Sequence, residues 1–349
     1  MPLHKTFCFP AASGKDVYLF TLLNAAGTEA RITNYGGIIT SFSVPASQDT
    51  RNDIVLGFDK VEDYRSPAYL AQYPYFGCVV GRTANRIRNA SFEIDGKPNP
   101  VTANFGKHQL HGGNEGFDKK IWDITGSGEF PSPWVEMKYH SPDGEEGYPG
   151  NLDVWIRFEL TEENELSYSF TARTDKTTAV NLTHHGYFNL NNGQGDIKDY
   201  ELKIYSSQVL DQDEELCTTG TVTPVKDTVF DFRSFTRIGE RLETVPEFDK
   251  SYVVDKNNDP AGLALMAEAR CAASGLMLQV YATDPVVHFY TGKWIPEMTG
   301  KNDTNYGAFS GFCLETQIHP NAINIPHFPT MLLKPGEEYK SKTVYKVIS

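Results

Sequence analysis

Nine histidines punctuate this sequence of 349 residues, and six of them fall in compact segments of unusual composition. His108 and His111 lie in residues 107–113 (KHQLHGG), and His184 and His185 in residues 181–190 (NLTHHGYFNL). His288 and His319 stand on either side of residues 311–317 (GFCLETQ). Imidazole changes charge near neutral pH, so such a set suits proton transfer. Glu315 interrupts the apolar run of the last segment. It reads either as a strand glutamate on a solvent face or as a partly desolvated carboxylate with a pKa raised toward a general base's. Its neighbours Phe312, Cys313 and Leu314 favour the second reading. Asn85 and Arg86, in residues 81–87 (GRTANRI), sit close to Arg82 and Arg88. The segment is either a solvated face or a source of forked donors for a substrate hydroxyl. Asp249, in residues 247–250 (EFDK), is unremarkable taken alone.

Several other chemistries lack support. The spacing of His108 and His111 has no helix to align it on one metal, and no third ligand stands nearby, so no metal site is expected. His184 and His185 are adjacent, and on a strand adjacent side chains point to opposite faces, so only one of them can face a given pocket. Gly112 and Gly113 would let the backbone beside His111 approach a ligand closely. No GxGxxG or phosphate-binding glycine loop supports nucleotide binding, and no GxSxG elbow supports a serine nucleophile.

The elements that must position these residues are strands. Val154, Ile156, Phe158 and Leu160 alternate with Asp153, Trp155, Arg157 and Glu159. Leu166, Tyr168, Phe170 and Ala172 alternate with polar partners, as do Tyr200, Leu202 and Ile204, and Leu276, Leu278 and Val280. A period of two predicts half-buried antiparallel strands. Asp95-Gly96 and Pro335-Gly336 mark turns between strands. Helical candidates are short: residues 61–64 and 235–240. No linker splits the chain and no internal repeat occurs, so the expected architecture is one all-β domain over residues 1–349, a large antiparallel β-sandwich with very little helix. The chemistry then falls to loops and strand ends.

The formal net charge of −13 disfavours a nucleic-acid partner. No basic amphipathic stretch suggests a membrane surface, and no apolar run reaches bilayer-spanning length. The five cysteines are widely spaced without a CxxC, as expected of buried, reduced thiols. Residues 1–14 hold no signal-peptide core, so a cytoplasmic location is expected, and the sequons at Asn89, Asn181 and Asn302 read as chance matches.

Taken together, the segments resemble the motif series of the aldose 1-epimerases, or galactose mutarotases. Residues 34–37 (NYGG), 81–87, 110–113 (LHGG), 181–190, Phe248 with Asp249, 289–292 (FYTG) and 312–317 follow the family's order and spacing from about residue 30 to the C-terminus. Residues 326–329 (PHFP) with 333–336 (LKPG) extend the match. The resemblance implies a β-supersandwich, no cofactor, and an isomerase that interconverts the α and β anomers of free hexoses such as galactose and glucose. By position, Glu315 is similar to the family's general base and His185 to its general acid. Asn85, Arg86, His111 and Asp249 fall on sugar-contacting positions, and Tyr187 lines the same pocket. Two positions depart from the family: His184 stands where an amide is usual, and His288 where glutamine commonly contacts the sugar.

The partner implied is a monosaccharide, bound by a monomer or homodimer. One alternative is a hexose-6-phosphate 1-epimerase, which would need convergent cations for phosphate; beyond Arg82, Arg86 and Arg88 no second cluster occurs. Another is a non-catalytic sugar-binding or sensor module, which would often lose the acid or the base, yet both are present here. A purely structural sandwich would leave six histidines in pocket-like segments unexplained.

Overall fold

The alternation at residues 153–160 becomes two faces of one strand. In the computed structural model, which describes residues 2–46, 50–255 and 262–349, the strand Leu152–Leu160 buries Leu152, Val154, Ile156, Phe158 and Leu160 completely and leaves the intervening side chains half-exposed. Its partner Glu165–Thr174 lies antiparallel, with Val154 opposite Ala172, Ile156 opposite Phe170 and Phe158 opposite Tyr168. Each of these apolar side chains gains roughly 1.5–3 kcal/mol on leaving water when it has the size of Val, Leu, Ile or Phe. Period-two burial of this kind fixes the register, because a one-residue slip would expose the whole row.

These strands belong to a nine-stranded antiparallel sheet. Its order is Asp123–Gly128, Trp134–Ser141, Leu152–Leu160, Glu165–Thr174, Tyr339–Ile348, Met277–Ala282, Ala264–Arg270, Glu201–Ile204 and Thr236–Arg237. The C-terminal strand Tyr339–Ile348 sits in the middle and zips the two halves together. A six-stranded sheet runs Tyr187–Phe188, Phe312–Gln317, Val286–Tyr290, Asp249–Val253, Gln208–Gln212 and Thr218–Pro224. Phe289, Phe312 and Leu314 from this sheet share one apolar core with Phe158, Phe170, Val280 and Tyr345 from the larger one. A five-stranded meander, from Leu3–Pro10 to Arg51–Asp53, adds Phe20, Ile32 and Phe42 to the same core. The result is a sandwich in which the six-stranded sheet has one face on the core and the other turned away from it.

Helix is scarce and partly displaced from where the sequence suggested it. The expected helix at 61–64 is a 3-10 segment, Val61–Arg65. Of the expected 235–240, the first part is the edge strand Thr236–Arg237, and the helix is Ile238–Leu242. A second helix, Pro67–Gln72, was not anticipated. Its signal is local: Ser66 accepts the Tyr69 N–H at 3.3 Å, and Pro67 occupies the first helical position. No helix among the described residues is long and apolar enough to cross a membrane.

Candidate active site

The outward face of the six-stranded sheet is polar in two rows. Ser251, His288 and Glu315 lie directly opposite one another on three adjacent strands. One step along, Asp249, Tyr290, Cys313 and Tyr187 form the second row across four strands. The alternation that sends Val287, Phe289, Phe312 and Leu314 into the core therefore sends these groups the other way. Of these, Tyr187, Asp249, His288, Tyr290 and Glu315 floor a cleft of about 480 Å³, a size suited to a small molecule. All eight residues singled out from the sequence line it: Asn85, Arg86, His111, His185, Tyr187, Asp249, His288 and Glu315.

The walls come from loops. His185 follows the short strand Thr183–His184, which pairs with Val79–Val80, and its backbone is bonded to Gly77 and Cys78. Asn85 and His111 are brought together because Arg86–Ile87 pairs with Gln109–Leu110. Both take left-handed backbone angles, φ 60° and 50°. The His111 N–H donates to the Asn85 carbonyl at 3.0 Å, and the Asn85 N–H donates to His111 Nδ1 at 3.3 Å. His111 Nδ1 is thus an acceptor, which leaves the proton of the neutral ring on Nε2. Burial, then the neighbouring His185 and Arg86, push the His111 pKa well below its usual value. It stays a neutral donor.

At the centre, Glu315 Oε1 stands 3.7 Å from His185 Nε2, with the two side chains 2% and 5% exposed. That gap exceeds a direct hydrogen bond. Among the described residues no donor reaches Glu315 Oε2, although it is buried. A buried carboxylate oxygen without a partner is costly unless something else supplies a proton. The His185 ring lies between Tyr187 and Tyr75, stacked at 5.0 and 5.8 Å between centroids. Its Nδ1 is 3.5 Å from Cys313 Sγ. Burial, then the Glu315 charge, push the Cys313 thiol well above its ordinary value, so it remains protonated.

On the other side, His288 Nε2 is 2.7 Å from Asp249 Oδ1, and Arg86 Nη2 is 3.5 Å from Asp249 Oδ2. Burial would raise the Asp249 carboxyl. The His288 hydrogen bond, with the Arg86 charge, outweighs it and holds the carboxyl well below the usual range. The Arg86 guanidinium also lies 4.9 Å over the Phe105 ring. Trp294, 69% exposed, stands at the mouth.

One metal-capable grouping exists among the described residues: His185, Cys313 and Glu315 hold ligand atoms within 4.8 Å of one another. The raised thiol pKa weighs against that grouping, because a metal would have to displace the Cys313 proton before the sulfur could ligate.

Three of the six histidines in unusual segments do not line the cleft. His184 is fully buried on the opposite face from His185, against Phe158 and Tyr168. His108 accepts the Asn89 N–H and lies 3.4 Å from Glu215. His319 packs against the Phe328 ring at a tilt. Arg82 is a buried hub that donates to Ser141, Pro142, Pro149 and Thr178, and Arg88 pairs with Asp213, so only Arg86 of that segment faces the cleft. The paired glycines also have another purpose. A Cβ on Gly112 would fall 2.0 Å from the Gly81 carbonyl, and one on Gly113 would meet Glu146. They permit close packing of the chain on itself, not approach to a ligand. Cys313, Tyr290 and Ser251 were missed, although each lies two residues from a residue already singled out. Tyr75 gave no such signal.

The family model for aldose 1-epimerase matches residues 18–346. The galactose mutarotase of Bos taurus is 43% identical over 319 residues, covering 90% of each chain. The aldose 1-epimerase of Escherichia coli strain K12 is 32% identical over 347 residues, covering 97% of each. Among solved structures, an aldose epimerase homologue from C. elegans superposes with a TM-score of 0.86 at 27% identity over 99% of both chains. With its motifs converging on one cleft and a match that spans nearly its whole length, the chain belongs to the aldose 1-epimerase family.

Proposed function

We propose that the cleft interconverts the α and β anomers of a free aldohexose such as galactose or glucose, with Glu315 as general base and His185 as general acid. The observation that carries this reading is the buried pair separated by 3.7 Å, with one Glu315 oxygen unpartnered. Mutarotation needs a base at the C1 hydroxyl and an acid at the ring oxygen, and these two oxygens share one carbon. Glu315 takes the O1 proton while the His185 imidazolium protonates O5, and the C1–O5 bond breaks. The aldehyde turns about C1–C2. The O5 hydroxyl then attacks the other face, returning its proton to His185 as Glu315 returns its proton to O1. No net proton is consumed.

Supporting groups follow from the same geometry. Arg86 and neutral His111 donate to hydroxyls and stabilise developing charge on oxygen. Asp249 accepts from a hydroxyl, Asn85 and His288 bound that corner, and Tyr187 and Tyr75 hold the acid between their faces while offering apolar surface to sugar C–H groups. A 6-phosphate substrate is disfavoured: among the residues lining the cleft, Arg86 is the one Arg or Lys, against the carboxylates Glu247, Asp249 and Glu315. We further take the chain to act as a single domain over residues 1–349, cytoplasmic, as a monomer or homodimer. Polarimetry of freshly dissolved α-D-galactose and α-D-glucose tests the activity. The protein is expected to speed the approach to equilibrium rotation, and no acceleration with either sugar would overturn the proposal.

A further inference from the structure

Ser251 lies on the same face of the strand Asp249–Val253 as Asp249, directly opposite His288 on the neighbouring strand. It is 1% exposed and does not line the cleft. Its Oγ is 2.8 Å from His288 Nδ1, and the other imidazole nitrogen is 2.7 Å from Asp249 Oδ1. An unbroken chain of three side chains therefore ends on a carboxylate at the cleft. In other proteins a Ser–His–Asp chain activates a nucleophile. Here the serine is the buried end and the carboxylate is the open end, so the order of action is reversed.

The proton count links the two directions. An ionised carboxylate only accepts, so His288 Nε2 must donate to Asp249. With His288 neutral, its single N–H is the one on Nε2, so Nδ1 accepts and the Ser251 hydroxyl donates to it; a doubly protonated ring would reverse the Ser251 bond. Remove that hydroxyl and the buried Nδ1 loses its hydrogen-bond partner, which weakens the hold on the ring. Arg86 stands too far from Oδ2 for a strong bond, so that oxygen keeps its capacity for another donor.

We propose that Ser251 is a positioning residue: its hydroxyl holds His288 as the Nε2–H tautomer, and the ring in turn aims the Asp249 carboxylate at a sugar hydroxyl. This rests on the reading of Asp249 as a sugar contact. With both imidazole nitrogens occupied by protein groups, His288 influences the sugar through Asp249. Such layering of a buried donor behind an orienting histidine is how many sites fix the group that meets the substrate.

The test combines galactose kinetics of Ser251→Ala and Asp249→Asn with a proton–nitrogen correlation spectrum of the wild-type histidines, His288 being assigned by its loss in His288→Gln. Ser251→Ala is expected to raise KM about threefold to tenfold, the scale of one lost hydrogen bond, with kcat nearly unchanged. Asp249→Asn should raise KM further, and the spectrum should show His288 protonated on Nε2 alone. If Asp249→Asn raises KM but Ser251→Ala does not, or lowers kcat instead, this inference fails while the sugar contact stands. Unchanged KM in Asp249→Asn would sink the sugar contact itself. Should Ser251→Ala not fold, the spectrum decides: a proton on His288 Nδ1, alone or with one on Nε2, overturns the proposal.

Discussion

Replacing Glu315 with glutamine removes the basic carboxylate and almost nothing else. The side chain keeps its length and sits on the same strand, Phe312–Gln317, with Phe312 and Leu314 still anchored in the core. It loses the negative charge that is 2% exposed and faces His185 at 3.7 Å. A positioned general base contributes about 10²–10⁴-fold, or about 2.7–5.4 kcal/mol of barrier at 1.36 kcal/mol per tenfold. Glu315→Gln should therefore lower kcat by at least about 10²-fold. Stability should not follow, because an unpartnered buried carboxylate is replaced by a neutral amide. Polarimetry on fresh α-D-galactose gives kcat and KM, and a thermal melt gives the fold. Since Glu315 and His185 share one relay, the double variant Glu315→Gln/His185→Asn should lose far less than the product of the single losses. Near-wild-type turnover in a folded Glu315→Gln protein would refute the mechanism even with the family assignment intact.

The remaining expectations are narrower. His185→Asn should match Glu315→Gln in depth, whereas His184→Asn should keep most turnover per folded molecule because its side chain lies in the core; equal loss in the two would contradict the assignment of faces. Free galactose or glucose should show a higher kcat/KM than glucose 6-phosphate, and the reverse order would point to a phosphate-binding pocket instead. His288→Gln should change KM or sugar preference more than kcat; a kcat loss as deep as that of Glu315→Gln would place His288 in proton transfer. His184 also links stability to pH. Burial, then the His185 charge, lower its pKa from 6.5 to about 3. Between those values the unfolded chain binds a proton that the folded chain refuses, so stability falls as pH falls through that window, by up to about 5 kcal/mol. The melting temperature of His184→Asn should thus decline less between pH 7 and pH 4 than that of the wild type; parallel curves would rule the linkage out.

What was legible in the sequence was what has a short period. Alternation at Leu152–Leu160 and Glu165–Thr174 specified strands, faces and core at once. The same rule separated His184 from His185 correctly. Extended to its neighbours, it would have nominated Ser251 from Asp249, Cys313 from Glu315 and Tyr290 from His288. What it could not supply was register between distant strands, which is set by the fit of whole apolar rows and turns Ser251, His288 and Glu315 into one line. Tyr75 was illegible for a different reason. It follows the helix Pro67–Gln72, whose only local signal is Ser66-Pro67, and reaches His185 through tertiary packing alone. The histidine count misled for a third reason, since imidazole also serves as a core or hydrogen-bonding residue, as His184, His319 and His108 do.

The two histidines that the resemblance sets apart, His184 and His288, can be weighed against each other on this geometry. The surroundings of His184 and His288 give the two rings different consequences. Around His184 stand Phe158 and Tyr168, with His185 as the nearest charge, so the ring must stay neutral and its cost appears as acid sensitivity of the fold. Around His288 stand a carboxylate on one nitrogen and a hydroxyl on the other, so the ring is satisfied and its effect is directional. An amide at 288 can accept from Ser251 and donate to Asp249 as well, but from a longer, freely rotating arm. Imidazole makes the same two bonds through a rigid ring in the row that ends on Glu315. On the proposed reading of Asp249 as a sugar contact, rigidity there is expected to favour one placement of its carboxylate.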